Sequence, residues 1–110
     1  MSLLVDQRRA QRAKVKLRAR YSSGSSEFES TITSLSEGGV FLYATHLDPE
    51  GTAVRIEFSL DGRSGQLHAT GEVVYIGFQD GLRGMGIRFN RMAEADRAAI
   101  LRFIKDGKPN

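Results

Sequence analysis

The sequence predicts a mainly β domain of about six antiparallel strands with one helix at the C-terminal end, and two patterns support this. Across most of the chain, apolar residues recur at every second position in short segments separated by turn-forming residues, the period of strands with one buried face. After residue 90 the period becomes that of an amphipathic helix. A sheet of this size usually closes into a barrel or folds into a sandwich, and these patterns leave both open.

The first predicted strand, residues 14–21, alternates basic and apolar side chains, and its hairpin partner around residues 28–32 is interrupted from Ser34 to Gly39. Further strands are predicted at residues 40–43, 54–60, 67–78 and 85–89. Gly71 lies inside the longest of them and predicts a bulge or bend. Gly84 and Gly86, two positions apart, indicate that something packs close to the backbone there.

The helix is predicted over about residues 92–106, with Asn90 as its N-cap. Its acidic residues come early and Lys105 comes late, as the helix dipole favours, and Gly107 and Pro109 end it. These boundaries divide the chain into a basic N-terminal arm, residues 1–13, and one domain, residues 14–107.

Composition narrows the class of protein. The 110 residues are enough for one modest core, and the absence of cysteine excludes a disulfide framework, a Cys-ligated zinc and a thiol nucleophile. No stretch approaches the roughly 18 apolar residues that span a bilayer, and the N-terminus lacks a secretory pattern. We therefore expect a cytoplasmic protein that does not insert into membranes.

The charge is unevenly distributed along the chain. Residues 1–20 hold seven Lys and Arg against one acidic residue, whereas the remainder holds nine against twelve. A basic arm on a mildly acidic body predicts a localised anion site rather than general adhesion to nucleic acid. The predicted strands also carry acidic residues where a nucleic-acid surface would interleave basic and aromatic ones. We expect no nucleic-acid polymer as partner.

Catalytic residues are scarce. His46 falls in a predicted loop and His68 on a predicted strand, and neither has a carboxylate at metal-ligand spacing. The sequence also lacks a nucleophile elbow. It predicts no enzyme, no metal site and no cofactor.

Two segments could bind a ligand. Arg8 and Arg12 lie four positions apart, and two guanidinium groups so placed can clamp a polyanion. Residues 34–39 form a polar turn in which Ser hydroxyls can hydrogen-bond a ligand and glycine lets the backbone approach it. Each alone also fits a plainer interpretation, a solvated tail and an ordinary turn.

Taken together, the two segments resemble the paired signature of the PilZ domain, the bacterial receptor module for the second messenger cyclic di-GMP. That family has an Arg-x-x-x-Arg segment before its first strand and an Asp/Asn-x-Ser-x-x-Gly turn further along. Arg8 and Arg12, with Arg9 between them, match the first motif, and Ser36 and Gly39 match the second.

The resemblance extends to Gly84, Gly86 and Phe89, which are similar to the family's Gly-x-Gly-x-x-Phe strand, and it covers residues 7–105. It implies a six-stranded antiparallel PilZ-type β-barrel with a C-terminal α-helix. It also implies a cyclic di-GMP site formed by residues of the arm and the turn: Arg8, Arg9, Arg12, Ser34, Ser36, Gly38 and Gly39.

The implied function is a cyclic di-GMP receptor whose arm changes conformation on ligand binding and which signals through an unidentified protein partner. One residue departs from the motif, because Ser34 stands where the family has Asp or Asn. That side chain helps the family read the guanine edge, so we expect weaker binding. The alternative is an adaptor that has lost the nucleotide and acts only through protein contacts, in motility or a pilus-related system.

Overall fold

Six antiparallel strands close into a barrel within residues 12–60 and 65–106, the part of the chain that the computed structural model describes. In chain order the elements are β1 (Ala13–Ser23), β2 (Glu27–Ser36), β3 (Gly39–Tyr43), β4 (Ala53–Phe58), β5 (Leu67–Gln79), β6 (Leu82–Met92) and the helix α1 (Glu94–Asp106). The strands follow one another around the barrel as β1-β2-β3-β6-β5-β4. The predicted fold class is confirmed, and the barrel is selected over the sandwich.

The core fills the inside of the barrel because the strands alternate as their period predicts. In β1, Leu17, Ala19 and Tyr21 are buried, whereas the basic residues between them are exposed. Ala99 and Ile100 of α1 are buried in the same apolar cluster. The outer face of β1 is therefore free to carry charge.

The turn between β2 and β3 is shorter than predicted. Rather than stopping at Ser34, β2 continues to Ser36, so that only Glu37 and Gly38 lie between the two strands. Against β3, Ile32 pairs with Leu42 and Ser34 with Phe41, so Thr33 is an inserted residue and forms a bulge in β2. This bulge accommodates the polar residues within a paired strand.

Asn90 is not the helix cap that the sequence predicted. Pairing of β6 with β5 extends through Met92, and the carbonyl oxygen of Ala93 accepts the first helical hydrogen bonds, from Asp96 and Arg97. The Asn90 side-chain oxygen instead accepts a hydrogen bond from the Thr70 hydroxyl, at 3.1 Å. Strand pairing here outweighs a capping preference, which is typically worth about 1 kcal/mol.

The predicted irregularity at Gly71 is present, although the extra residue lies on the other strand. Thr70 pairs with Arg91 and Gly71 pairs with Phe89, so the inserted residue is Asn90 of β6. A Cβ on Gly71 would collide with the backbone of Arg88. Gly71 is thus required for the close approach of β5 to β6.

Candidate functional site

Arg12 contacts the β2–β3 turn, which brings the two predicted ligand-binding segments together. Its Nε donates a hydrogen bond to Oγ of Ser34 at 3.0 Å, and its Nη1 donates to Oγ of Ser36 at 3.4 Å. The pairing of Ala13 with Leu35 determines this arrangement, because it places the residue before β1 beside the end of β2. The guanidinium is exposed, whereas both serines are buried beneath it.

The turn is held by the Ser36 hydroxyl. Oγ of Ser36 accepts the backbone N–H of Gly38 at 3.2 Å and donates to the carbonyl oxygen of Gly39 at 3.4 Å. The carbonyl oxygen of Gly38 in turn accepts the backbone N–H of Phe89 at 2.8 Å. The turn is therefore fixed to β6 as well as to its own strands.

The two glycines of the turn have different surroundings. A Cβ on Gly39 would collide with the carbonyl oxygen of Ile87, whereas one on Gly38 would meet only the Ser36 hydroxyl, at 3.9 Å. The sequence suggested that glycine lets the turn approach a ligand. For Gly39, the structure explains the glycine without a ligand, because β3 packs so closely on β6 that a side chain would not fit.

Arg88 lies at the edge of this site, and sequence reasoning did not fix its direction. It is the Cα partner of Gly39, and its side chain is 64% exposed. Its Nη2 lies 3.5 Å from Oε2 of Glu72, the only carboxylate of the described residues within ion-pair distance of it. A second guanidinium is therefore available next to the turn on the β6 side.

An aromatic row continues from Ser34 across the sheet. Ser34 pairs with Phe41, Phe41 with Gly86, and Gly86 with Tyr75. The Tyr75 ring occupies the space where a side chain at Gly86 would lie, and it stacks on Phe41 with 6.0 Å between ring centroids. This explains the predicted close packing at Gly86, and it leaves a partly exposed ring that could stack on a planar base.

The carboxylate of Glu37, the acidic residue of the turn, forms an ion pair with a residue of α1. Oε1 of Glu37 lies 3.7 Å from Nη1 of Arg97 in α1. An anionic ligand at the turn would otherwise meet a like charge, which disfavours binding. Arg88 is likewise paired with Glu72, so that Arg12 is the cation at the site without a carboxylate of the described residues within ion-pair distance.

Arg8 and Arg9, which the sequence placed in the same site, lie outside the described residues. The Arg8–Arg12 clamp therefore stays a prediction. Of the predicted site residues, the structure brings Arg12, Ser34, Ser36 and the two turn glycines together in one place.

His46 belongs to a separate polar cluster that holds the β3–β4 loop against β1. Its Nε2 lies 2.8 Å from Oγ of Ser26 and 3.3 Å from Oδ1 of Asp48. Because the same nitrogen faces both groups, the ring cannot relay a proton between them as in a catalytic triad, where the two ring nitrogens face different partners. Tyr21 and Ser23 donate to Oδ2 of Asp48 at 2.5 and 2.9 Å.

The hydrogen bonds of this cluster shift two pKa values. Burial alone would raise the pKa of Asp48, but hydrogen bonds from Tyr21, Ser23 and His46 together outweigh it and lower that pKa. The pKa of Tyr21 is raised, first by burial and then by its hydrogen bond to Asp48. The cluster is a buried carboxylate with satisfied acceptors, which suits it to holding the loop in place.

The described residues contain no candidate metal site and no membrane-spanning helix, and they include the second histidine of the chain. Across residues 12–60 and 65–106, no three His, Cys, Asp or Glu side chains are grouped so as to hold a metal ion. Within the same ranges, no helix has the length and apolar character needed to cross a bilayer. His68, the second histidine, pairs on the surface with Glu57 at 3.5 Å.

A family model described as the PilZ domain matches residues 6–106 of the chain. No curated protein matches the chain in sequence. The family match covers both candidate binding segments and every element of the barrel.

Solved structures with the same fold include the inhibitor of motility MotI/DgrA of Bacillus subtilis, with a TM-score of 0.77 and 18% identity over 87% of this chain and 48% of that one. The chain thus spans about half the length of that protein. The PilZ domain of Escherichia coli YcgR, solved with c-di-GMP, has a TM-score of 0.69 and 18% identity, with 90% and 89% of the chains covered.

Borreliella burgdorferi PlzA, solved in complex with c-di-GMP, has a TM-score of 0.66 and 14% identity over 93% of this chain and 45% of that one. At these identities, the likeness to all three structures shows the fold alone.

Proposed function

Because the chain belongs to the PilZ domain family, we propose that it is a cyclic di-GMP receptor that signals through a protein partner and catalyses no reaction. The observation that best supports this is the contact of Arg12 with Ser34 and Ser36. It brings a residue of the arm motif onto the residues of the turn motif, which is the arrangement that one ligand would need to touch both.

The chemistry of the contact favours an anionic ligand. Arg12 now donates to two neutral hydroxyls, whereas a phosphate would offer it charged acceptors. Phosphate adds a negative charge on the acceptor side and can bind the planar guanidinium through two parallel hydrogen bonds, which adds both energy and geometric specificity. Arg12 would exchange its hydroxyl partners for phosphate, and Ser34 and Ser36 would become available to the guanine edge.

The proposal also gives a role to each of the other residues of the predicted site. Arg8 and Arg9 would add cations from the arm, and ordering of the arm on the ligand would change the surface shown to a partner. The backbone of Gly38 and Gly39 would line the barrel side, with Arg88 at the rim. Mutual repulsion of the arm's guanidinium groups in the free protein would be relieved by the dianion.

Ser34 supports a second candidate, an adaptor that no longer binds the nucleotide. Its side chain is shorter than the Asp or Asn of the motif, and one good hydrogen-bonded contact to a base contributes about 1–3 kcal/mol. The Ser34 hydroxyl is nevertheless an acceptor, and it accepts a hydrogen bond from Arg12 of the arm motif, which supports the receptor. We therefore favour the receptor, with reduced affinity.

The test is a titration of the ¹⁵N-labelled protein with cyclic di-GMP, with GTP as control. The receptor predicts saturable amide shifts centred on Arg12 and residues 34–39 that GTP does not reproduce. No shift at millimolar cyclic di-GMP would reject the receptor and favour the adaptor. Shifts confined to another face would reject the proposed site.

A further inference from the structure

The end of the β5–β6 hairpin exposes an unusual amount of apolar surface. Among the described residues, four of the five large exposed apolar side chains lie there, whereas the fifth, Leu101, is on α1. The four are Tyr75 at 40%, Ile76 at 38%, Phe78 at 69% and Leu82 at 41% exposure. Strand alternation places Tyr75 and Leu82 on the outer face of the hairpin, on the same side as Gln79, whereas Ile76 and Phe78 extend from the face that carries the buried Met85.

A cavity of about 430 Å³ lies at the outer face of the hairpin end, and we refer to it as the hairpin groove. Leu82 lines it from the hairpin, and Val15 of β1 and Tyr43 of β3 line it from the barrel. Its volume falls within the range of about 300–1,000 Å³ found for pockets that hold ligands or anchoring groups. The groove is therefore large enough to take a bulky apolar side chain.

The rim of the groove is basic. Lys14 and Lys16 line it, and the one carboxylate in its lining, Asp80, is already paired with Lys14 at 3.4 Å. No carboxylate of the described residues lies within ion-pair distance of Lys16. An occupant with acidic groups beside its apolar anchor would match this rim.

A second copy of the chain fits this surface poorly. Leu101 is the large exposed apolar residue outside the hairpin, and its helix neighbours include Arg97, Arg102 and Lys105. Inserting Leu101 into the groove would bring these cations against Lys14 and Lys16. Such like-charge juxtaposition disfavours association.

We propose that the hairpin groove is a docking surface for a partner protein, and that the partner inserts an apolar side chain flanked by carboxylates. The role of this contact in signalling rests on the proposed function. Lys14 of β1 lies two residues after Arg12 in the chain, and Thr33 of the lining precedes Ser34. The groove is thus adjacent to the proposed nucleotide site but does not share its residues.

The experiment is a selection from a phage library of random dodecapeptides on the immobilised full-length protein, followed by affinity measurement with the selected synthetic peptides. The expected consensus is one or two large apolar residues with Asp or Glu on either side. Leu82→Ser and Lys16→Glu should each weaken the best peptide at least tenfold. The matched controls are Leu101→Ser, which has similar exposure, and Lys105→Glu, which has the same charge change.

Several outcomes would overturn the proposal: no peptide enriched, a consensus without carboxylates, or peptides that bind Leu82→Ser as well as the wild type. A dimer that Leu82→Ser dissociates would also overturn it, since the occupant would then be a second copy. Titrating the same variants with cyclic di-GMP keeps this test separate from that of the receptor. If the protein binds cyclic di-GMP but no peptide, the docking groove is rejected and the receptor is not. If it binds the peptide but not cyclic di-GMP, the receptor is rejected and the docking groove is not.

Discussion

Nε of Arg12 donates a hydrogen bond to Oγ of Ser34 at 3.0 Å, although the two residues are 22 positions apart in the chain. The described residue of the arm motif therefore lies against the residues of the turn motif. Because the acceptor is neutral and the guanidinium is exposed, the contact can be exchanged for a phosphate at small cost. Substitutions of Arg12 or Ser34 should therefore change the affinity for cyclic di-GMP.

Ser34→Asn should tighten cyclic di-GMP binding about 5-fold to 100-fold, because the longer amide restores an acceptor that reaches the guanine edge. Isothermal titration measures the change, with Ser25→Asn in the exposed β1–β2 turn as the control that leaves affinity unchanged. Equal or weaker binding by a well-folded Ser34→Asn protein would show that position 34 does not face the base.

Gly39→Ala should destabilise the domain by about 1–3 kcal/mol, the usual cost of overpacking, because the added methyl collides with the carbonyl oxygen of Ile87. Gly38→Ala is the matched control and should stay within about 0.5 kcal/mol, since that position is open. Urea denaturation of both variants measures the difference. Equal stabilities would mean that the close approach of β3 to β6 is not rigid.

Asp48→Asn should lower the free energy of unfolding at pH 7 by about 1–3 kcal/mol, because the charged acceptor of the Tyr21 and Ser23 hydroxyls is lost. The pKa of Asp48 is lowered from its ordinary value of 3.8, so its contribution is present above that pH. The contribution is lost as the pH falls through the lowered value.

The stability gap between wild type and Asp48→Asn should therefore be widest near neutral pH and should narrow at strongly acidic pH. Urea denaturation across this pH range measures it. Asp80→Asn is the control, because Asp80 is exposed and pairs only at the surface with Lys14. A gap that widens as the pH falls would show that Asp48 does not act as a stabilising anion.

The sequence was sufficient for the strands because the period-2 alternation is local, as in the buried Leu17, Ala19 and Tyr21 of β1, whereas the barrel was implied only by the resemblance to the PilZ domain. The resemblance to the PilZ signature predicted one site for Arg12, Ser34 and Ser36, but it did not predict the direct contact of Arg12 with the two serines. Asn90 was misassigned because the pairing of β6 with β5 is long-range. No pattern in a single sequence shows how far the hydrogen-bonded pairing of two strands extends.

The direction of Arg88 and the position of the Tyr75 ring could not be derived from the sequence for a related reason. The register of β3 against β6 places Arg88 beside Gly39, and the register shift between Val73 and Tyr75 brings the Tyr75 ring onto Gly86. A register slip of one residue would reverse every side chain of a strand, so neither placement can be derived from periodicity alone. The paired glycines nevertheless indicated that some group packs there.

The most direct test of the receptor is isothermal titration of wild type and Arg12→Ala with cyclic di-GMP. Arg18→Ala is the matched control, an exposed arginine of β1 that pairs with Glu29 at 3.1 Å. The account predicts saturable binding by wild type and Arg18→Ala and none by Arg12→Ala, with melting temperatures within a few degrees of one another. Unchanged affinity of Arg12→Ala would contradict the site, and absence of binding by the wild type would contradict the receptor.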